Sequence, residues 1–159
     1  MAAARDTVHG TALAWGGAGV LIRGPSGAGK SDLALRCIGM GPIPLVPLHA
    51  KLIADDRVEI WREGHSIRMA PPPAIAGKLE VRGLGIVNVP VCERAVALVL
   101  VADLMASLAG IERLPEPGQA ELLGVRVARL ALYPFEPSAA LKLMLAVRNV
   151  SSEGPGRID

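Results

Sequence analysis

Aromatic side chains are scarce: the 159 residues include two Trp, one Tyr and one Phe. The core must therefore be built from Ala, Val, Leu, Ile and Met, and stacking platforms for single-stranded bases are hardly available. Sequence-specific RNA reading is a poor fit to that composition. Cysteine is scarcer still, and Cys37 and Cys92 form neither a close metal-binding pair nor a disulfide framework. Reduced thiols in a cytoplasmic protein are the simplest expectation. Charge of one sign is also lacking, since 17 Lys and Arg against 15 Asp and Glu leave +2. That balance predicts no nucleic-acid partner, whereas a bound nucleotide needs only local donors. Long hydrophobic runs are absent too. The longest unbroken stretch of Ala, Val, Ile, Leu and Met is residues 95–102, and the Ala- and Gly-rich residues 12–22 lack a basic leader. Neither a secretory segment nor a membrane partner is expected.

What the chain has is 51% hydrophobic residues with 20% charged, the composition of one folded domain, punctuated by 18 Gly and 13 Pro. No repeat or long linker divides it, so residues 1–150 are expected to form a single domain and residues 151–159 a flexible tail. The clearest plan lies in residues 18–36, where an apolar strand runs into a Gly-rich turn and then a helix whose inward face carries Leu33, Leu35 and Ile38 with Ala34 and Cys37. Gly39, Gly41 and Pro42 end that helix, and Pro42, Pro44 and Pro47 mark an irregular segment. Residues 52–61 read as a strand reaching Asp55 and Asp56 followed by another through Val58 and Ile60, with a return hairpin after Gly64. Residues 78–91 suggest two short strands around Gly83 and Gly85, and residues 95–102 a buried strand. Residues 110–124 read as a loop, 122–132 as a strand, and Ser138 as the cap of a last helix over 139–147.

The segment Gly24-Pro25-Ser26-Gly27-Ala28-Gly29-Lys30-Ser31 satisfies GxxxxGK[ST] between a strand and a helix, the context that gives this motif meaning. Its backbone N–H groups can cradle phosphate oxygens at a helix N-terminus, Lys30 can reach the terminal phosphates of ATP, and the Ser31 hydroxyl can coordinate Mg2+. The plain alternative makes Ser31 a helix cap and Lys30 a solvent charge. Phosphoryl transfer also needs a carboxylate, and Asp55 and Asp56 at a strand end can divide metal placement from proton abstraction, or merely cap a turn. Asp103 competes as an acid, although it can equally just terminate its strand. A single P-loop kinase-like α/β domain, a mixed β-sheet flanked by helices, is the expected fold class. Histidines His49 and His65 read as structural or exposed.

Four strings in order, VHG at 8–10, LIRGPSGAGKS at 21–31, LIADDRVEI at 52–60 and LEVRGLGIVNV at 79–89, resemble HPr kinase/phosphorylase. The resemblance is strongest over residues 8–104 and corresponds to that family's catalytic domain without its N-terminal domain. It implies ATP- and magnesium-dependent phosphorylation of a serine on an HPr-like phosphocarrier protein, with phosphorolysis as the family's reverse reaction. At matched positions it implies that Gly24 to Ser31 bind nucleotide and that Asp55 and Asp56 are the acidic catalytic pair. It further implies roles near phosphate or acceptor for His9, Arg82, Asn88 and Arg94, and near the cation for Ser31, Asp55 and Glu80. The family forms hexamers, so a homo-oligomer is expected. A small-molecule P-loop kinase and a non-enzymatic ATP-binding switch share the same loop and are the competing readings.

Overall fold

A computed structural model describes residues 4–152. The chain starts with β1 (Arg5–His9) and β2 (Thr11–Trp15), then turns into β3 (Ala18–Arg23), whose AGVLIR sequence is almost wholly buried. The glycine-rich loop leads from β3 into α1 (Lys30–Met40). Next come β4 (Ala50–Ala54), β5 (Arg57–Glu63) and β6 (Ser66–Ala70), then a separate two-stranded ribbon of β7 (Lys78–Val81) and β8 (Gly85–Asn88). Strands β9 (Val96–Leu104), β10 (Gly118–Leu122) and β11 (Val125–Leu132) precede α2 (Ala139–Ser152).

Nine strands form one sheet in the order β1-β5-β6-β9-β3-β2-β4, with β11 against β9 and β10 against β11. Among the strand pairs of the described residues, β3–β9 and β9–β11 are parallel and the others antiparallel. Connectivity forces this sheet to curl. Strands β4 and β5 lie five spacings apart along the path, about 24 Å in a flat sheet. The two residues joining them, Asp55 and Asp56, bridge three Cα steps, about 11 Å. The link from β1 to β2 is shorter still, the single residue Gly10, and it too joins distant positions in the strand order. The ends of the sheet therefore meet, and the Gly10 N–H donates to the Asp56 carbonyl at 3.0 Å across the seam.

Curling gives the sheet two different faces. On one, Val20 and Ile22 of β3 and Leu13 and Trp15 of β2 pack with Leu33 and Cys37 of α1 and Leu143, Met144 and Val147 of α2. The other face buries Ala12, Leu21, Ile53, Val58, Ile60, Met69 and Val127 against one another with no helical residue among them. Each Val, Leu or Ile side chain so buried contributes about 1.5–3 kcal/mol. The expected fold class, a P-loop kinase-like domain with a sheet flanked by helices, is corrected by this arrangement. Both helices cover the same face, and the opposite face is closed by the curled sheet itself, which needs no second helical layer. Strands absent from the sequence reading make that closure possible: β1, β2 and β10.

Strand β10 falls within the expected loop, and the strand expected over 122–132 is β11, which begins at Val125 after a tight turn from β10. That turn puts Leu123 at φ 49° and Gly124 at φ 76°. A leucine in the left-handed region carries no ordinary turn signature. Helix α2 continues past 147, and its buried Ser151 donates to the Val147 carbonyl at 2.7 Å. The tail expected at 151–159 lies outside the described residues from 153 onward. Among the described residues no helix is long and apolar enough to cross a membrane.

Candidate active site

The seam where the sheet ends meet is also where polar side chains converge. A Cβ on Gly10 would lie 2.8 Å from the Ile22 carbonyl oxygen and 2.9 Å from Leu21 Cδ1, so only glycine lets the β1–β2 link press against β3. That close approach points Thr11 inward, fully buried, where its hydroxyl donates to Asp55 Oδ1 at 2.8 Å. Sequence reasoning missed Thr11, because a threonine opening an apolar run carries no motif.

Beyond β3 the loop turns on Gly27 (φ 80°) and Gly29 (φ 102°), a left-handed region that disfavours side chains. Space around Gly27 is open, with nothing within 4 Å of a Cβ placed there. Gly29 occupies the N-cap of α1 with no side-chain cap, so the first-turn N–H groups face no side-chain acceptor. Lys30 begins the helix and folds back, its Nζ donating to the carbonyls of Gly24 at 2.7 Å and Pro25 at 3.0 Å. It is only 8% exposed.

Asp55 ties loop to seam. Its Oδ1 accepts from the Ser31 hydroxyl at 2.8 Å as well as from Thr11, and its Oδ2 accepts the Glu80 N–H at 3.1 Å. Three separate segments thereby hold one carboxylate that is 8% exposed. Asp56 differs in every respect. Its backbone is left-handed at φ 70°, its side chain is 68% exposed, and Nε2 of His9 lies 3.0 Å from its Oδ1. Sequence pairs these acids, whereas the fold buries one and presents the other.

A cavity of about 620 Å³ lies over this cluster. Its lining includes Ser26, Gly27, Gly29, Lys30 and Ser31 of the loop together with His9, Thr11, Asp55 and Asp56. Glu80, Arg82, Gly83 and Gly85 from the β7–β8 ribbon complete one side, and Phe135, unremarked in the sequence, another. Gly24, Pro25 and Ala28 shape the loop turn, with the Ala28 N–H donating to the Pro25 carbonyl at 3.0 Å. Two expected residues stay apart from the lining. Asn88 is exposed at the end of β8 opposite Lys78, and Arg94 is exposed ahead of β9, its carbonyl accepting from the Cys92 thiol at 3.4 Å. His49 and His65 are exposed, as expected.

Asp103 is engaged elsewhere. Its carboxylate receives Arg23 through Nε at 2.7 Å and Nη2 at 2.9 Å, and Arg129 through Nε. Burial pushes this carboxyl up, but the hydrogen bonds and charges of the two arginines outweigh it and hold the group below the usual aspartate value. A carboxylate so occupied ties β3, β9 and β11 to one another.

The donors present suit magnesium and phosphate. Among the described residues no group of three or more His, Cys, Asp and Glu could hold a metal by itself. Magnesium asks for less, one or two carboxylates with phosphate oxygens, and the Asp55 carboxylate beside the Ser31 hydroxyl is such a hard oxygen set. An uncapped helix N-terminus, the open space at Gly27 and the Lys30 ammonium suit an anion.

A family described as the HPr Serine kinase C-terminal domain matches residues 1–148. The HPr kinase/phosphorylase of Levilactobacillus brevis is 41% identical over 88 residues, which is 55% of this chain and 26% of that protein. The HPr kinase/phosphorylase of Alkaliphilus metalliredigens is 32% identical over 151 residues, 89% of this chain and 46% of that protein. The chain thus spans between a quarter and a half of the length of these relatives. The solved structure of the Hpr(Ser) kinase/phosphatase from Coxiella burnetii superimposes with a TM-score of 0.76 at 24% identity, covering 94% of this chain and 99% of that one. That likeness concerns the fold, and it agrees with the curled sheet in place of the P-loop kinase-like layering.

Proposed function

The chain belongs to the HPr Serine kinase C-terminal domain family, and from that premise we propose that it transfers the γ-phosphoryl group of ATP to a serine of an HPr-like phosphocarrier protein. The observation that carries this reading is the hydrogen bond from Ser31 to Asp55 with the exposed Asp56 next in sequence. It joins a phosphate-binding element, a cation-binding pair and an accessible base in one cavity.

Magnesium ATP, when bound, supplies the transferable phosphoryl group and the cation that offsets its developing charge. The loop N–H groups from Ser26 to Ser31 and the Lys30 ammonium hold phosphate oxygens. Ser31 and Asp55 hold the cation, and Glu80, whose N–H fixes Asp55, adds a second carboxylate on the cavity wall. Asp56 takes the proton from the acceptor serine, and His9 keeps that carboxylate turned toward the cavity. Arg82, on the ribbon, offers a guanidinium to the acceptor or its phosphate. Asn88 and Arg94 have no part in this arrangement.

The 68% exposure of Asp56 supports a protein acceptor, since a small-molecule kinase encloses its acceptor in a pocket. In reverse, the same carboxylate would deprotonate inorganic phosphate for attack on phosphoserine, and the names of the relatives support including that direction. A cytoplasmic homo-oligomer, with the hexamer as the form to test, completes the proposal.

The test is transfer from γ-labelled ATP with magnesium to an HPr-like protein, alongside the same protein with its acceptor serine changed to alanine. Serine-dependent labelling is expected. Absence of labelling, with nucleotide bound and the fold intact, would overturn the reading. Phosphorylated protein with inorganic phosphate tests the reverse reaction separately.

A further inference from the structure

Two of the four aromatic residues, Tyr133 and Phe135, stand on the loop between β11 and α2. The others are committed elsewhere, Trp15 to the core and Trp61 beneath the Arg5 guanidinium at 4.2 Å. Phe135 is the one aromatic side chain in the cavity lining described above, and it is 58% exposed. A ring left that open beside a polar cavity has an unused apolar face.

The ring is held firmly despite its exposure. Tyr133 meets it edge-on, with centroids 5.9 Å apart and planes at 78°. On the glycine loop, a Cβ at Gly29 would lie 3.0 Å from Phe135 Cζ and 3.2 Å from Cε1, so Phe135 rests directly on that glycine. The segment is also tethered to α1. Arg36 donates through Nη2 to the Pro134 carbonyl while Asp32 holds its Nε at 3.0 Å.

Topology adds a second argument. Ligands of parallel strands bind beyond the carboxyl ends of those strands. The glycine loop leaves the carboxyl end of β3 and the Phe135 loop leaves the carboxyl end of β11, both parallel to β9. The glycine loop is thereby bonded to Asp55 through Ser31 and meets an aromatic ring at Gly29. Because Phe135 lines the same cavity as Asp55 and Asp56, a nucleotide lying along the loop with its terminal phosphate toward the acids would have its other end facing the ring.

We propose that Phe135, braced by Tyr133, is the platform on which the base of the bound nucleotide stacks. This rests on the nucleotide reading above and extends it to the base end of the ligand. A π-face accepts any base, so the platform adds affinity and discriminates weakly between ATP and GTP.

Calorimetric titration of the full chain with magnesium ATP and with magnesium tripolyphosphate, which has no base, tests it. F135A and F135L should weaken ATP about tenfold while leaving tripolyphosphate within about twofold, and F135W should retain ATP affinity. F135L preserves apolar volume against Gly29 and so guards against simple loss of folding. Equal losses for both ligands would make Phe135 a brace of the loop, and unchanged ATP affinity would leave it no role in binding. Either result overturns the platform while the kinase reading stands. A wild-type chain that binds neither ligand overturns both.

Discussion

Ser31, in the first turn of α1, donates a hydrogen bond to Asp55 Oδ1 at 2.8 Å. Because Asp55 sits on the link that closes the curled sheet, this one contact couples the glycine loop to the seam.

Thr11 donates to the same oxygen from a fully buried position. T11V keeps its shape and removes the donor, leaving Asp55 with Ser31 and Glu80. The expected cost is about 1–2 kcal/mol, read in a thermal melt as a midpoint lower by roughly 2–4 °C per kcal/mol. An unchanged midpoint would show that the buried bond has no net worth.

Among the described residues Lys30 bonds to two loop carbonyls, which water can satisfy when the side chain is removed. K30A should therefore fold normally by circular dichroism. Its affinity for magnesium ATP should fall about 100-fold, near 2.7 kcal/mol, in a binding titration.

Asp56 and Asp55 should separate in kinetics. D56N keeps a residue type tolerant of left-handed backbone, so transfer should fall by about 10²–10⁴-fold with ATP affinity nearly unchanged. D55N should instead raise the magnesium concentration needed for half-maximal turnover. H9A, which frees Asp56 without removing it, should slow transfer less than D56N does.

Two glycines should respond for different reasons. G10A forces a Cβ to 2.8 Å from a backbone oxygen that cannot move aside, whereas G27A meets open space and only left-handed strain. G27A should cost about 1–2 kcal/mol, with G10A costing more, and urea midpoints would rank them.

Asp103 gives a pH dependence of known sign. Burial opposes its ionisation, yet Arg23 and Arg129 together hold its folded-state value below the unfolded one. The stability this contributes is complete above the ordinary aspartate range near pH 4 and is lost as pH falls through the lowered folded value. D103N should flatten that part of an acid-unfolding curve and leave neutral-pH melting the less stable of the two.

Local patterns were legible where local physics decides them. Gly27 and Gly29 adopt the left-handed turns their type permits, α1 starts at Lys30, and the strand leading to the two aspartates lies where its apolar spacing indicated, ending at Ala54 just before them. The ribbon of residues 78–88 pairs around Gly83 and Gly85 as read. Other features had no local signal. Strand β1 is an exposed edge, RDTVH, which alternates no better than a loop, and only its pairing with β5 from Arg5↔Trp61 to His9↔Arg57 makes it a strand.

The sequence by itself determined a glycine loop between strand and helix, an adjacent acidic pair and a family resemblance, because each rests on neighbours in the chain. Tertiary structure decided that the sheet curls and carries helices on one face only, since a two-residue link and a one-residue link must join distant strands. It also decided which aspartate is buried under three donors and which stands exposed beside His9, and it brought Thr11 and Phe135 to the cavity. Those outcomes depend on contacts between segments far apart in the chain, which residue spacing does not encode.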